Sequence, residues 1–126
     1  MLKLLFAIAL GFAFPAQAQV SAYVSGGVGE EERQVLLPRK NEFNLQLTFA
    51  VRRSGNYLAA VEVRIADSKG AELLRAESDG PFFFARLEPG SYTVSATYAG
   101  ETQSRRLRIP DKGAVALALY WDEAAR

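Results

Sequence analysis

The sequence predicts an all-β protein, a seven-stranded antiparallel β-sandwich preceded by a short N-terminal helix, and three observations carry that expectation. From residue 42 onward, apolar residues recur at every second position in short runs. Clusters of Gly, Pro, Asp, Asn and Ser separate those runs. Neither a long helical periodicity nor an internal repeat competes with them. Short strands of this kind bury their apolar faces by packing two sheets against each other.

Ahead of that domain, residues 1–18 read as a cleaved secretory signal. Lys3 supplies a basic start, Leu4 to Phe14 is apolar throughout, and Ala16-Gln17-Ala18 is a small-residue cleavage site, placing the cut between Ala18 and Gln19. A retained anchor is the competing reading. Eleven helical residues at about 1.5 Å each reach only about 17 Å of a roughly 30 Å hydrocarbon core, so no stable membrane anchor is expected. With no cysteine in the chain there is neither a lipid-anchor acceptor nor a disulfide, and the 108 residues left of 126 must be held by one apolar core. An exported protein, periplasmic or extracellular, follows from the signal.

Residues 19–41 form a lead-in to the domain. Gly26-Gly27-Val28-Gly29, ahead of the helix, reads as a flexible joint. Glu30, Glu31 and Glu32 precede Arg33, Arg39 and Lys40, the polarity that suits a helix dipole, so a helix of about two turns is expected, stopped by Pro38. The domain proper spans 42–122. Its first strand places Phe43, Leu45, Leu47, Phe49 and Val51 on one face. The second covers Val61 to Ile65, and a weaker third covers Ala71 to Glu77. After the turn Ser78-Asp79-Gly80-Pro81, a fourth strand sets Phe82 and Phe84 on one face and Phe83 on the other. Tyr92 to Tyr98, Thr102 to Ile109 and Ala114 to Trp121 complete the seven.

The chemistry is defined largely by missing residue types. There is no histidine, the side chain used most for proton transfer near neutral pH and for zinc ligation, so a Ser-His or Cys-His nucleophile and a His-containing zinc site are excluded. No catalytic residue, metal ligand or cofactor is expected. Asp67, Asp79 and Asp111 lie in turns, where their own backbones explain them, at spacings that match no EF-hand loop. Without Lys3 the chain has 14 basic and 14 acidic residues, which argues against nucleic acid as a partner.

Two features remain as candidate binding sites. Phe83 is a candidate exposed aromatic contact, the alternative being that the N-terminal segment covers it. Arg105, Arg106 and Arg108 form an outward basic set suited to an acidic partner or a lipid head group; the competing role is a solvated edge that discourages sheet-to-sheet association.

The run Leu58-x-x-Val61-x-Val63-x-Ile65-x-Asp67-x-x-Gly70, followed by Ser78-Asp79-Gly80-Pro81-Phe82-x-Phe84-x-x-Leu87-x-Pro89-Gly90-x-Tyr92-x-Val94, resembles the carboxypeptidase regulatory-like domain. That domain belongs with the transthyretin-like and collagen-adhesin B-type sandwiches, which are immunoglobulin-like in architecture. The resemblance covers most of residues 42–121 and is most specific at Leu87-x-Pro89-Gly90-x-Tyr92-x-Val94, where the turn is expected to deliver Tyr92 into the core. The whole chain is similar to small exported proteobacterial proteins built on this domain. In metallocarboxypeptidases it accompanies a separate zinc catalytic domain, for which this chain has no histidines. Transthyretin-like hydroxyisourate hydrolases use active-site histidines and a terminal Tyr-Arg-Gly-Ser; here the corresponding stretch reads Tyr120-Trp121-Asp122-Glu123. An exported sandwich without catalytic residue types is expected to be a noncatalytic periplasmic binding module for an unknown envelope protein or ligand. The alternatives are a self-assembling structural accessory of the envelope and, with less support, a carboxylate-based hydrolase.

Overall fold

The computed structural model describes residues 20–123. The expected signal segment and its cleavage site at Ala18 and Gln19 lie outside the described residues.

The elements run β1 (Val20–Gly26), α1 (Glu30–Leu36), a 3-10 helix (Leu37–Glu42), β2 (Leu45–Val51), β3 (Val61–Asp67), β4 (Glu72–Ser78), β5 (Phe82–Leu87), β6 (Gly90–Tyr98), β7 (Glu101–Ile109) and β8 (Val115–Trp121). They form two four-stranded sheets, β1-β5-β2-β8 and β4-β3-β6-β7, whose inner faces share one core. The first sheet contributes Leu45, Leu47, Phe49, Phe83 and Leu119, and the second contributes Val61, Val63, Ile65, Tyr92, Val94 and Ile109. All of them are apolar or aromatic residues of period two, as burial of one face of each strand requires.

Two expectations change. The strands number eight rather than seven, because the start of the lead-in is itself a strand: β1 pairs antiparallel with β5, aligning Val24 with Phe84 and Gly26 with Phe82. The sandwich is also not wholly antiparallel. β2 and β8 run parallel in an unbroken register from Leu45↔Val115 to Val51↔Trp121, which β8 reaches by crossing over from the other sheet. Trp121 ties that crossing down: its indole N–H donates to the Glu101 carbonyl on β7 at 3.0 Å, and its ring meets Phe49 and Tyr98 edge-on.

The glycines read as a flexible joint serve a fixed bend. Gly27 has φ 102°, and a Cβ there would run into the Phe82 ring. Gly80 needs the space of a hydrogen for another reason, since its Cβ would meet the backbone carbonyl of Gly26. Two glycine backbones thus lie against each other where β1 ends and the β4–β5 turn begins. Ser78 fixes that turn from inside, its buried hydroxyl donating to the Gly80 carbonyl at 2.7 Å.

Beyond the bend, α1 carries Glu30, Glu31 and Glu32 in its first turn, as its sequence polarity predicts. Glu32 reaches back to accept the Gly27 and Val28 N–H groups at 2.8 and 3.0 Å, satisfying donors ahead of the helix in the manner of a capping box. Pro38 ends the α-helix by opening a 3-10 segment, and Phe43 caps that segment instead of starting β2. Leu36 and Phe43 then pack on Phe82, Phe84 and Val24, forming a second, smaller core outside the first sheet.

Candidate functional site

The strand β5 decides the aromatic question. Phe83 is 0% exposed in the inter-sheet core, with Tyr23 of β1 stacked on it at 5.2 Å. It offers no surface contact: the facing sheet buries it in the shared core, and Tyr23 of the N-terminal segment covers it as well. That segment also covers Phe82 and Phe84, the pair on the opposite face. Alternation separates Phe83 from its neighbours correctly, but both faces of this strand are roofed, so neither side is free.

The arginines are also divided by alternation. On β7, Arg106 and Arg108 point to the outer face of the second sheet, where they pair in register with Thr93 and Ser91 of β6. Arg105 belongs to the opposite face, with Leu107 and Ile109, and its guanidinium donates to the Ser104 carbonyl and the Gln103 side-chain oxygen at the sandwich margin. Only two of the three residues expected to form one basic set share a face. A third guanidinium, unremarked in the sequence, joins them from β3: Arg64, opposite Ser95.

These residues border an open groove of about 670 Å³ on the outer face of the β4-β3-β6-β7 sheet. Its shape follows from side-chain size. Across the row Ala66–Thr93–Arg106, the β3 position carries a single methyl and the β6 position a small hydroxyl, while Arg64 and Arg108 rise from the rows on either side. Ser91, Thr93 and Ser95 run along β6 as a line of hydroxyls. One end is closed by the Asp67–Gly70 turn, in which the Asp67 carboxylate accepts the Lys69 and Ala71 N–H groups, both at 2.9 Å. Turn formation therefore accounts for Asp67.

The guanidiniums are unequally occupied. Arg64 donates its Nε to Glu72 at 2.8 Å. Arg108 reaches the Ser91 hydroxyl at 3.5 Å, the far limit of a hydrogen bond. Arg106 forms no hydrogen bond or ion pair among the described residues. Beside the groove, Glu62 and Glu72 converge on Arg75. The hydrogen bonds from Arg75 and then Arg64 hold the Glu72 carboxyl below its ordinary range. This ion-pair lattice is exposed, and each of its two carboxylates has an arginine partner. Among the described residues no group of three or more His, Cys, Asp or Glu side chains gathers.

Below the groove Tyr92 enters the core, and its hydroxyl donates to the Glu88 carbonyl at 2.6 Å. Burial, with the Glu88 and Asp67 charges, pushes its phenol up from the usual value.

No family model matches the chain, and no curated protein matches it. Among solved structures, the crystal structure of S.CueP is similar at 21% sequence identity with a TM-score of 0.44. The alignment covers 58% of this chain and 59% of that one, less than two thirds of either, and at this level it carries no functional argument. What the geometry establishes is a β-rich chain of two packed sheets, one with its outer face covered by a short helix and the other with an open, arginine-bordered groove.

Proposed function

We propose that this chain is an exported, noncatalytic binding module of carboxypeptidase regulatory-like type, and that its contact surface is the outer face of the β4-β3-β6-β7 sheet. The observation that carries this reading is Arg106, whose side chain lines the groove and has no carboxylate partner among the described residues. Arginine is enriched where binding energy concentrates, and one without an intramolecular partner has its donors available to a ligand. The export signal at residues 1–18 and the absence of histidine support the compartment and the lack of catalysis.

A retention experiment with envelope extract tests the reading. Immobilised protein is expected to hold a component that the Arg106→Ala/Arg108→Ala double variant releases, while Arg105→Ala keeps it. Equal retention by the wild type and the double variant, or none by either, overturns the assignment of this face.

A further inference from the structure

We infer that the groove bordered by Arg64, Arg106 and Arg108 takes a tetrahedral oxyanion, a phosphate or sulfate group. The inference rests on the proposed use of this face and adds the chemistry of what it holds.

The sheet itself sets the spacing. Successive residues on one face of a strand lie about 6.8 Å apart and adjacent strands about 4.8 Å apart. Arg106 and Arg108 therefore stand about 7 Å apart along β7, while Arg64 stands two strands away, in the row of Ser95 and Ser104 that adjoins the row of Ala66, Thr93 and Arg106. Guanidiniums thus border the groove on two sides, with Thr93 between them on its floor. A planar carboxylate offers two oxygens in one plane, matching the fork of one guanidinium. An oxyanion with three outward oxygens accepts from both sides and from below at once.

Charge and availability agree with that shape. Three guanidiniums meet two carboxylates here: Asp67, held by its turn, and Glu72, shared between Arg64 and Arg75. A local positive excess is thus set into a chain whose formal net charge is only +1. Glu72 holds Arg64 through Nε, and no hydrogen bond among the described residues engages its two terminal nitrogens. The groove is also open enough to admit an anion that is part of a larger molecule.

Two sources share this chemistry, a dissolved anion and the head group of an anionic phospholipid. NMR of the arginine side-chain Nε–H and strand amides, titrated separately with inorganic phosphate and with vesicles containing phosphatidic acid, whose phosphomonoester also has three outward oxygens, distinguishes them; acetate and phosphatidylcholine vesicles are the controls. At least one phosphate-bearing arm should shift Arg64, Arg106 and Arg108 together, with affinity falling at least tenfold in Arg106→Ala and in Arg108→Ala and unchanged in Arg105→Ala. Ala66→Phe, which fills the floor and leaves every guanidinium in place, should block the same shift. Circular dichroism and Tm confirm that each variant is folded. A response to neither arm, or to acetate as strongly as to phosphate, overturns the inference about ligand chemistry. If envelope retention still depends on Arg106 and Arg108 in that case, the binding face stands and only its ligand class falls.

Discussion

The outer face of the β1-β5-β2-β8 sheet is roofed by α1 and the 3-10 segment, whereas that of the β4-β3-β6-β7 sheet is bare. The difference originates in residue type. Phe82 and Phe84 point outward from the first sheet, and leaving two aromatic rings in water is costly enough that Leu36, Phe43 and Val24 cover them. The corresponding positions of the second sheet carry Ser91, Thr93, Ser95, Thr97 and charged side chains that need no cover. Ser95 with Ser104, and Thr97 with Thr102, bond across β6 and β7 at 2.8 and 2.7 Å. One face is therefore committed to stability, and the other is left available.

Substitutions should grade along the same division. Phe83→Ala, which empties the shared core, is expected to cost about 4 kcal/mol in urea unfolding, and Phe84→Ala, which empties the roof, about 3 kcal/mol. Faster amide exchange in the Phe84→Ala variant should be confined to α1 and β1. A Phe84→Ala cost above that of Phe83→Ala would dissolve the distinction between roof and core.

Glu32→Ala should follow with a loss of about 1.5 kcal/mol, from the two backbone donors it leaves unpaired at the start of the roof. Hydrogen exchange is the decisive readout: α1 should lose protection while β3 and β6 keep theirs. Uniform loss would mean that the roof does not unfold separately.

The smallest effect belongs to the bare face. Because its arginine partners hold the Glu72 carboxyl low, the folded protein keeps it ionised at pH values where the unfolded chain has already taken up a proton. Its stabilisation is present above the ordinary carboxylate range and is lost as pH falls through the folded value. Glu72→Gln should lower Tm slightly at neutral pH, by less than Glu32→Ala, and the gap should close in acid. A gap that persists at low pH would point to a packing role for Glu72.

Alternation in the sequence revealed most of this architecture. Leu45, Leu47 and Phe49, Val61, Val63 and Ile65, and Tyr92, Val94 and Ala96 are each buried as period two requires. It could not say which side of β5 faces the core, because that strand is apolar on both. Leu36, apolar on a largely polar helix, was the available sign that a second surface needed covering, whereas Phe43 fits the alternation of β2 and gave no sign that it packs on the other side. β1 was hidden by the glycines at its end, although Val20, Ala22 and Val24 alternate with Ser21, Tyr23 and Ser25. At the groove, strict alternation would have separated Arg105 from Arg106 and Arg108. Arg64 was not recoverable, since its approach to them depends on β3 lying beside β6, a pairing between strands that are not consecutive.

That pairing also has a consequence in time. The second sheet contains two hairpins, β3–β4 and β6–β7, each closing a short loop. The first contains none: β1 must find β5, β2 must find β5, and Leu45 must find Val115. Loop closure costs more entropy as the span grows, and long-range pairing slows folding. The bare face therefore belongs to the sheet whose hairpins close most readily. The roofed sheet is laid down against it, its parallel edge waiting for a partner strand from the far end of the domain.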